Sequence, residues 1–388
     1  MEVQTIRDLK QQAGAVPGAV KFHAQLEKLL QKTTKTGNPF YELTFADAEE
    51  TLVLRVWNNS PMFDSCSQLQ ERQYYEISGE FGLGNDGRSI DSRSWTPRGL
   101  DEREAAALLA GSPELREKQE RDYRYICETV GAVSDPRLKA LGEAFLNQFG
   151  DRFQRTGAAR DYHHARRGGL VEHVSQMMRA AVQICEAYEM LNRDLLVTGV
   201  LFHDIGKLWE NAYTPKGFTM PFTEISELIG HIPLGMEIVN KLWRELQDDP
   251  SVGANWENLE PSSERVRLHL LHLIVSHHGE LEFGSPVVPK TPEAQALHYI
   301  DNLDAKMEMF DRGYQVAGEL GRNVYERVRP LPGRLITPLP AFAGGGGAPA
   351  YQEEVVEDPG PPAPANAVEG DGLPIPMPVD SDDRPEPF

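Results

Sequence analysis

Alternation of apolar and polar positions dominates the first hundred residues. Residues 19–32 alternate in part, and a turn follows at Lys35-Thr-Gly-Asn-Pro39. Phe40-Tyr-Glu-Leu-Thr-Phe45 and Thr51-Leu-Val-Leu-Arg-Val-Trp57 then alternate on either side of a second turn at 46–50. Period two, carried by aromatic and β-branched residues, is a hairpin signal. Further strands are expected at 73–79 and 88–95, behind a short lead-in over 1–17. Five short strands in under a hundred residues fit a small Greek-key barrel.

After residue 98 the period becomes helical. Helices are expected over 102–110, 113–130 and 136–149, read as a connector spanning 99–150. An all-helical domain over 151–328 should follow, with helices at 171–191, 193–209, 228–247, 264–276 and 291–309. Asn192 makes the turn between the first two. Beyond about Arg329 the chain turns to Pro, to a glycine run at 344–347 and to acidic residues. Such a composition buries too little apolar surface to fold, so 329–388 reads as a disordered tail. The fold class is therefore multidomain: a β-barrel at 1–98, then an all-α domain, then the tail.

Composition trims the possible functions. No run of about 20 apolar residues exists, so no membrane span is expected. The N-terminus lacks the basic-then-apolar plan of a signal peptide. Cys66, Cys127 and Cys185 are scattered, as reduced thiols of a cytoplasmic protein would be. The net charge of −20 argues against a passive nucleic-acid coat. Part of that charge is local: residues 331–388 carry −8, which leaves −12 for the rest. A metal site tolerates such an excess, because bound cations offset carboxylates.

The candidate chemistry centres on 196–208, where an apolar helical run ends in His203-Asp204-Ile-Gly-Lys207. Adjacent residues on a helix point about 100° apart, so His203 and Asp204 converge on one ion only where a helix ends against it. Ten of the eleven histidines lie between His163 and His298. In order come His163-His164-Ala, Gly168-Gly-Leu-Val-Glu-His173, His203-Asp204, Gly230-His231-Ile, Ser276-His277-His278-Gly279 and His298-Tyr-Ile-Asp301-Asn-Leu-Asp304.

That series resembles the HD-domain superfamily of metal-dependent phosphohydrolases over roughly 150–325. The fuller string is similar to the YhaM-type 3′→5′ exoribonucleases, which place an OB-fold ahead of the HD domain. The barrel segment running from Lys35 through Phe40, Tyr41 and Leu43 to Val56 and Trp57 resembles their OB domains. The resemblance implies that His173, His203, Asp204 and Asp301 hold a first ion. Asp204 would then bridge to a second ion held by His231, His277 and His278. Imidazole and carboxylate donors suit transition metals, manganese first among them, with iron, cobalt, nickel or zinc as alternatives. Some relatives carry a Glu four residues before the first His; Gly169 stands here, which argues against a third ion. Asp304 is expected to orient a ligand.

Lys207, one turn past His203, is placed to meet a scissile phosphate, or else to pair with a nearby carboxylate. His163, His164, Arg166 and Arg167 would line the substrate mouth, or form a hydrogen-bond network at a helix start. On the barrel, Tyr41 and Trp57, with Phe40, could stack bases, and Lys35 and Arg55 could meet phosphates. Core packing is the competing role for each aromatic. His269, His272 and His298 read as ordinary core or surface histidines.

The implied function is a metal-dependent exoribonuclease acting on single-stranded RNA, or on single-stranded DNA. One alternative is an HD phosphohydrolase of small nucleotides such as dNTPs, cyclic nucleotides or alarmones. Another is a non-catalytic nucleic-acid-binding protein. A nucleotide hydrolase needs no strand-binding barrel, and a binding protein needs no complete ligand set. The sequence leaves the oligomeric state open.

Overall fold

The computed structural model describes residues 3–14, 16–84, 87, 89–160, 164–340 and 342. A first compact unit runs to Glu308 and a second begins at Met309.

The first unit opens with α1 (Ile6–Gln12), inside the stretch expected as a lead-in. Thr5 and Asp8 cap it reciprocally, and Ile6 and Leu9 are buried. Five strands follow: β1 (Gly18–Thr33), β2 (Pro39–Ala46), β3 (Thr51–Trp57), β4 (Tyr74–Leu83) and β5 (Ile90–Gly99). A single helical turn, α2 (Phe63–Cys66), sits between β3 and β4. The sheet is antiparallel in the order β3-β2-β1-β4-β5, and its edge strands β3 and β5 approach each other. The result is a nearly closed barrel, consistent with an OB-fold.

One long strand serves both halves of the barrel. Residues 18–25 of β1 pair with β4 and residues 25–33 pair with β2, with an irregularity between Leu26 and Lys28. An extra residue bends a strand and re-aims its side chain. The side chain at that position, Glu27, is buried. Phe22, Phe45, Phe81 and Trp95 fill the interior edge to face.

Helices take over with α3 (Glu102–Ala110), α4 (Pro113–Gly131) and α5 (Pro136–Phe153). Asp101, Ser112 and Asp135 cap them, and Pro stands first in α4 and α5, where its missing N–H is no loss. Then come α6 (Gly169–Ala187), α7 (Arg193–Phe202), α8 (Lys207–Glu210), α9 (Glu224–Ile229), α10 (His231–Asp248) and α11 (Ser263–Ser276). The last helix, α12 (Pro292–Val316), runs on past Glu308. Ile126, Leu141 and Phe145, from the stretch expected as a connector, share one core with Met177, Phe202, Trp243, Leu273 and Leu297.

Two expected helices are interrupted. The segment 193–209 breaks at His203 into α7, a turn and α8. The segment 228–247 breaks at Gly230, whose φ of 75° a helix cannot hold. The first break falls on the candidate ligand His203 and the second immediately precedes the candidate ligand His231.

In the second unit, β6 (Glu319–Gly321), β7 (Val324–Arg327) and β8 (Arg334–Ile336) form a small antiparallel sheet where helix and tail were expected. Leu331 and Leu335 are buried, and the Tyr314 hydroxyl donates to the Ile336 carbonyl at 2.7 Å. Residues 341 and 343–388 of the expected tail lie outside the described residues. Among the described residues no helix is long and apolar enough to cross a membrane.

Candidate metal centre

Five elements deliver side chains to one buried spot. His173 comes from the first turn of α6, whose start is set by a glycine pair. Gly168 holds a left-handed φ of 80°, and a Cβ on Gly169 would lie 1.9 Å from the His164 carbonyl oxygen. Only a chain without side chains there lets the 164 segment pack onto the helix start. His203 and Asp204 occupy the turn after α7, His231 opens α10, His277 and His278 follow α11, and Asp301 and Asp304 lie on α12. The helix end that an adjacent His-Asp pair requires is the break at His203.

The donors fall into two groups that share Asp204. His173 Nε2 lies 3.3 Å from His203 Nε2 and 3.3 Å from Asp301 Oδ1. Asp204 Oδ2 is 3.2 Å from His203 Nε2 and 3.7 Å from His173 Nε2. Its other oxygen, Oδ1, is 3.6 Å from His231 Nε2 and 3.7 Å from His277 Nε2. His231, His277 and His278 form the second group, with donor atoms all within 4.8 Å of one another.

Each imidazole is held by its other nitrogen. Nδ1 of His203, His277 and His278 donates to the carbonyls of Val200, Ile274 and Phe283 at 2.8, 2.7 and 2.8 Å. His173 Nδ1 donates to Asp304 at 2.7 Å, and His231 Nδ1 to Glu210 at 3.1 Å. A carbonyl only accepts, so for His203, His277 and His278 these contacts fix the tautomer and leave the Nε2 lone pair aimed inward.

The arrangement fits a cation. Asp204 Oδ1, His231 Nε2 and His277 Nε2 are buried and have no hydrogen-bond partner. Each such orphan costs about 1–3 kcal/mol when left unsatisfied. A divalent ion among inward lone pairs and carboxylates satisfies them together. The electrostatics agree. Burial alone would lower His173, but Asp301 and Asp304 outweigh it and push the imidazole up to about 10. Burial would raise Asp204, yet Lys207 and the surrounding histidines hold its carboxyl well below the usual range. Burial, with the His278 and His203 rings beside it, depresses His277.

Lys207 Nζ sits 2.7 Å from Asp204 Oδ2, so of its two expected roles the pairing is with the central carboxylate itself. His163 lies outside the described residues. His164 is buried and turned toward Asp304, 3.1 Å away. Arg166 is engaged by Glu172 at 2.6 Å and Glu308 at 3.0 Å rather than by an open face. On the barrel, Lys35 is exposed in the β1–β2 turn, and Tyr41 packs on Phe63 with centroids 4.9 Å apart. Trp57 is 42% exposed and rests on Phe40. Arg55 pairs with Glu42, which also binds Lys32.

Sequence reasoning missed Glu210, Glu172 and Glu308; His298, expected as an ordinary core or surface histidine, is buried and hydrogen-bonded. His298 Nδ1 donates to the His277 carbonyl at 2.9 Å and so steadies the ligand turn. Glu210, seven residues past His203, carried the one available signal: it stands beside the motif.

The barrel reaches this region through one loop. Gln25 donates to the Lys216 carbonyl at 3.0 Å, and Glu27 accepts from the Phe218 N–H at 3.1 Å. The Tyr74 hydroxyl donates to the Lys216 carbonyl at 2.9 Å, and Arg72 contacts both Glu27 and Thr219. Arg167 holds the same loop from the other side through the carbonyls of Thr214, Pro215 and Gly217.

Comparison with known proteins agrees with this geometry. A model of the HD domain matches residues 170–306. A solved structure described as "Structure of RecG bound to three-way DNA junction" is similar at 12% identity and a TM-score of 0.21, over 48% of this chain and 31% of that one. So low a score has no bearing on the fold. The chain is similar to the 3′-5′ exoribonuclease YhaM of Oceanobacillus iheyensis, 30% identical over 286 residues, which make up 73% of this chain and 83% of that protein. It belongs to the YhaM family of HD-domain hydrolases.

Proposed function

We propose that this protein is a metal-dependent 3′→5′ exoribonuclease that removes nucleotides from single-stranded RNA, and from single-stranded DNA where one is offered. The observation that supports a dinuclear centre is the placement of Asp204, one oxygen toward each donor group. His173, His203, Asp204 and Asp301 would hold one ion, and Asp204, His231, His277 and His278 the other. Manganese suits the mixed imidazole and carboxylate set. Bound divalent ions supply a nucleophile at neutral pH and neutralise charge on the phosphoryl oxygens.

The chain's own residues do the rest. The carbonyls of Val200, Ile274 and Phe283, with Glu210 and Asp304, fix the imidazoles before substrate arrives. Preorganised donors lose no free energy to reorientation during reaction. Lys207 places an ammonium beside Asp204, where negative charge develops on the phosphate. Burial of Asp204 and the histidines keeps bulk water from screening these charges. The barrel, residues 1–98 in this reading, presents Trp57 and Phe40 to bases and Lys35 to the backbone. Residues 99–150 brace the HD domain of 151–328, and the site of action is the cytoplasm.

The test uses the full chain with Mn²⁺, single-stranded RNA labelled at its 5′ end, and an Asp204→Ala control. A ladder of shortening labelled products, absent from the control, is expected. Intact RNA under Mn²⁺, Co²⁺, Ni²⁺ and Fe²⁺ alike overturns the reading, and a panel of small nucleotides then becomes the next substrate set.

A further inference from the structure

Behind His173, on the side away from the other donors, runs a circuit of polar and charged groups, some buried and some half-buried. Asp304 Oδ2 accepts from His173 Nδ1 at 2.7 Å and from His164 Nε2 at 3.1 Å. The other nitrogen of His164 lies 3.9 Å from Glu308 Oε1. Arg166 donates to that same oxygen at 3.0 Å and to both oxygens of Glu172 at 3.0 and 2.6 Å. Glu172 is the peptide neighbour of His173, which returns the circuit to its start. From α4, Lys118 at 2.8 Å and Gln119 at 2.9 Å pin Glu172 from outside.

Several features mark this as more than a surface salt-bridge cluster. Glu172 and His164 are buried almost completely. An unpaired charge there is strongly unfavourable, while a hydrophobic replacement of the whole set is often neutral. The arrangement is therefore poorly explained by stability alone. His164 holds φ at 44°, a left-handed conformation that an ordinary side chain adopts only when its surroundings impose it. Gly169 lacks the Cβ that would strike the His164 carbonyl, so the helix start is shaped to accept that conformation.

We propose that His164, Arg166 and Glu308 are positioning residues that fix the His173 imidazole through Asp304. They thereby set the affinity of the His173–His203–Asp301 group for its ion and leave the His231–His277–His278 group alone. A ligating histidine needs its ring plane and its outward hydrogen bond set together. Asp304 supplies the bond and is itself held by His164; the far nitrogen of His164 faces Glu308 across 3.9 Å, and Arg166 ties Glu308 to the residue next to His173. This inference rests on the dinuclear centre proposed above.

The test separates the two. Metal-free full-length wild type and Glu308→Gln are titrated with Mn²⁺ by calorimetry and with Co²⁺ by visible absorption. The wild type should bind two ions. In Glu308→Gln one site should weaken by about 10–100-fold, the usual effect of losing an outer partner of a ligand, while the other site keeps its affinity. Glu308→Asp, which keeps the charge, should recover part of the loss. A purely structural circuit would weaken both sites together, and an idle one neither; either result overturns the proposal. If the wild type binds fewer than two ions, the dinuclear centre fails and this inference with it. If Glu308→Gln does not give the wild-type circular dichroism spectrum, His164→Gln replaces it under the same expectations.

Discussion

Replacing Gly206 by alanine puts one methyl group where the two donor groups meet. Gly206 has φ −60° and ψ −24°, a conformation any residue accepts, so backbone strain plays no part. Helix propensity even favours alanine over glycine by about 1 kcal/mol. The obstacle is contact: the new Cβ would lie 1.9 Å from the His231 carbonyl oxygen and 2.7 Å from its Cα. Ordinary contact starts at 3.4 Å, so the two backbones must part by about 1.5 Å. His231 rides on one of those backbones and Asp204 stands two residues before the other. A metal site tolerates ligand displacements of about 0.2 Å. Overpacking of this kind costs about 1–3 kcal/mol in stability. A displacement of about 1 Å costs about 100-fold in rate, so RNA cleavage by Gly206→Ala should fall by at least about 100-fold. Gly131→Ala is the control, since nothing lies within 4 Å of its Cβ position. Calorimetric Mn²⁺ titration, thermal unfolding and initial cleavage rates would be compared for the three proteins. A folded Gly206→Ala protein with wild-type metal affinity and turnover refutes the argument that this contact sets the spacing of the centre.

Two further perturbations probe other parts of the chain. Arg137 is buried, donates to Asp135 at 2.6 Å and reaches the Pro261 carbonyl, so Asp135→Ala strands its charge and should lower stability by about 3–5 kcal/mol in urea unfolding. Burial would raise the Asp135 carboxyl, but Arg137 and the α5 backbone N–H groups outweigh it and lower it. The stability it contributes is therefore full above about pH 4 and declines as pH falls through the lowered folded value, so wild type and variant should converge in acid; a constant gap contradicts this. On the barrel, Trp57→Ala in an Asp204→Ala background should weaken single-stranded RNA binding, read by fluorescence anisotropy, by about 1–3 kcal/mol. Unchanged binding would remove Trp57 from the strand path.

The legible parts of the fold were those where one period persists. β3 alternates through its whole length, and α3 to α5 carry their own caps and prolines. α1 was hidden because a helix of seven residues with two buried apolar positions offers no period to detect. β6 to β8 were hidden for a related reason, being strands of three or four residues with mostly exposed side chains. The candidate ligands stood out because His-Asp, Gly-His and His-His-Gly are short local strings. Their supporting carboxylates did not, since Glu308 meets Arg166 across 142 residues and looks, in sequence, like any solvated helix position. Lys207 shows the same limit: its spacing suits His203 at i−4 and Asp204 at i−3 alike, and the structure pairs it with Asp204.

The loop at 214–219 belongs to the peptide that joins Lys207 to His231, and its outer surface is the barrel's docking ground. The tether between two donor groups is thus also the hinge pin of a neighbouring module. Excising the barrel would strip the Phe218 N–H of its acceptor and uncover Phe218, which packs with Ala46 and Ala48. The HD portion is accordingly not an interchangeable cartridge. Any swap of the barrel has to carry residues 25, 27, 72 and 74 with it, or redesign the tether that spaces the donors.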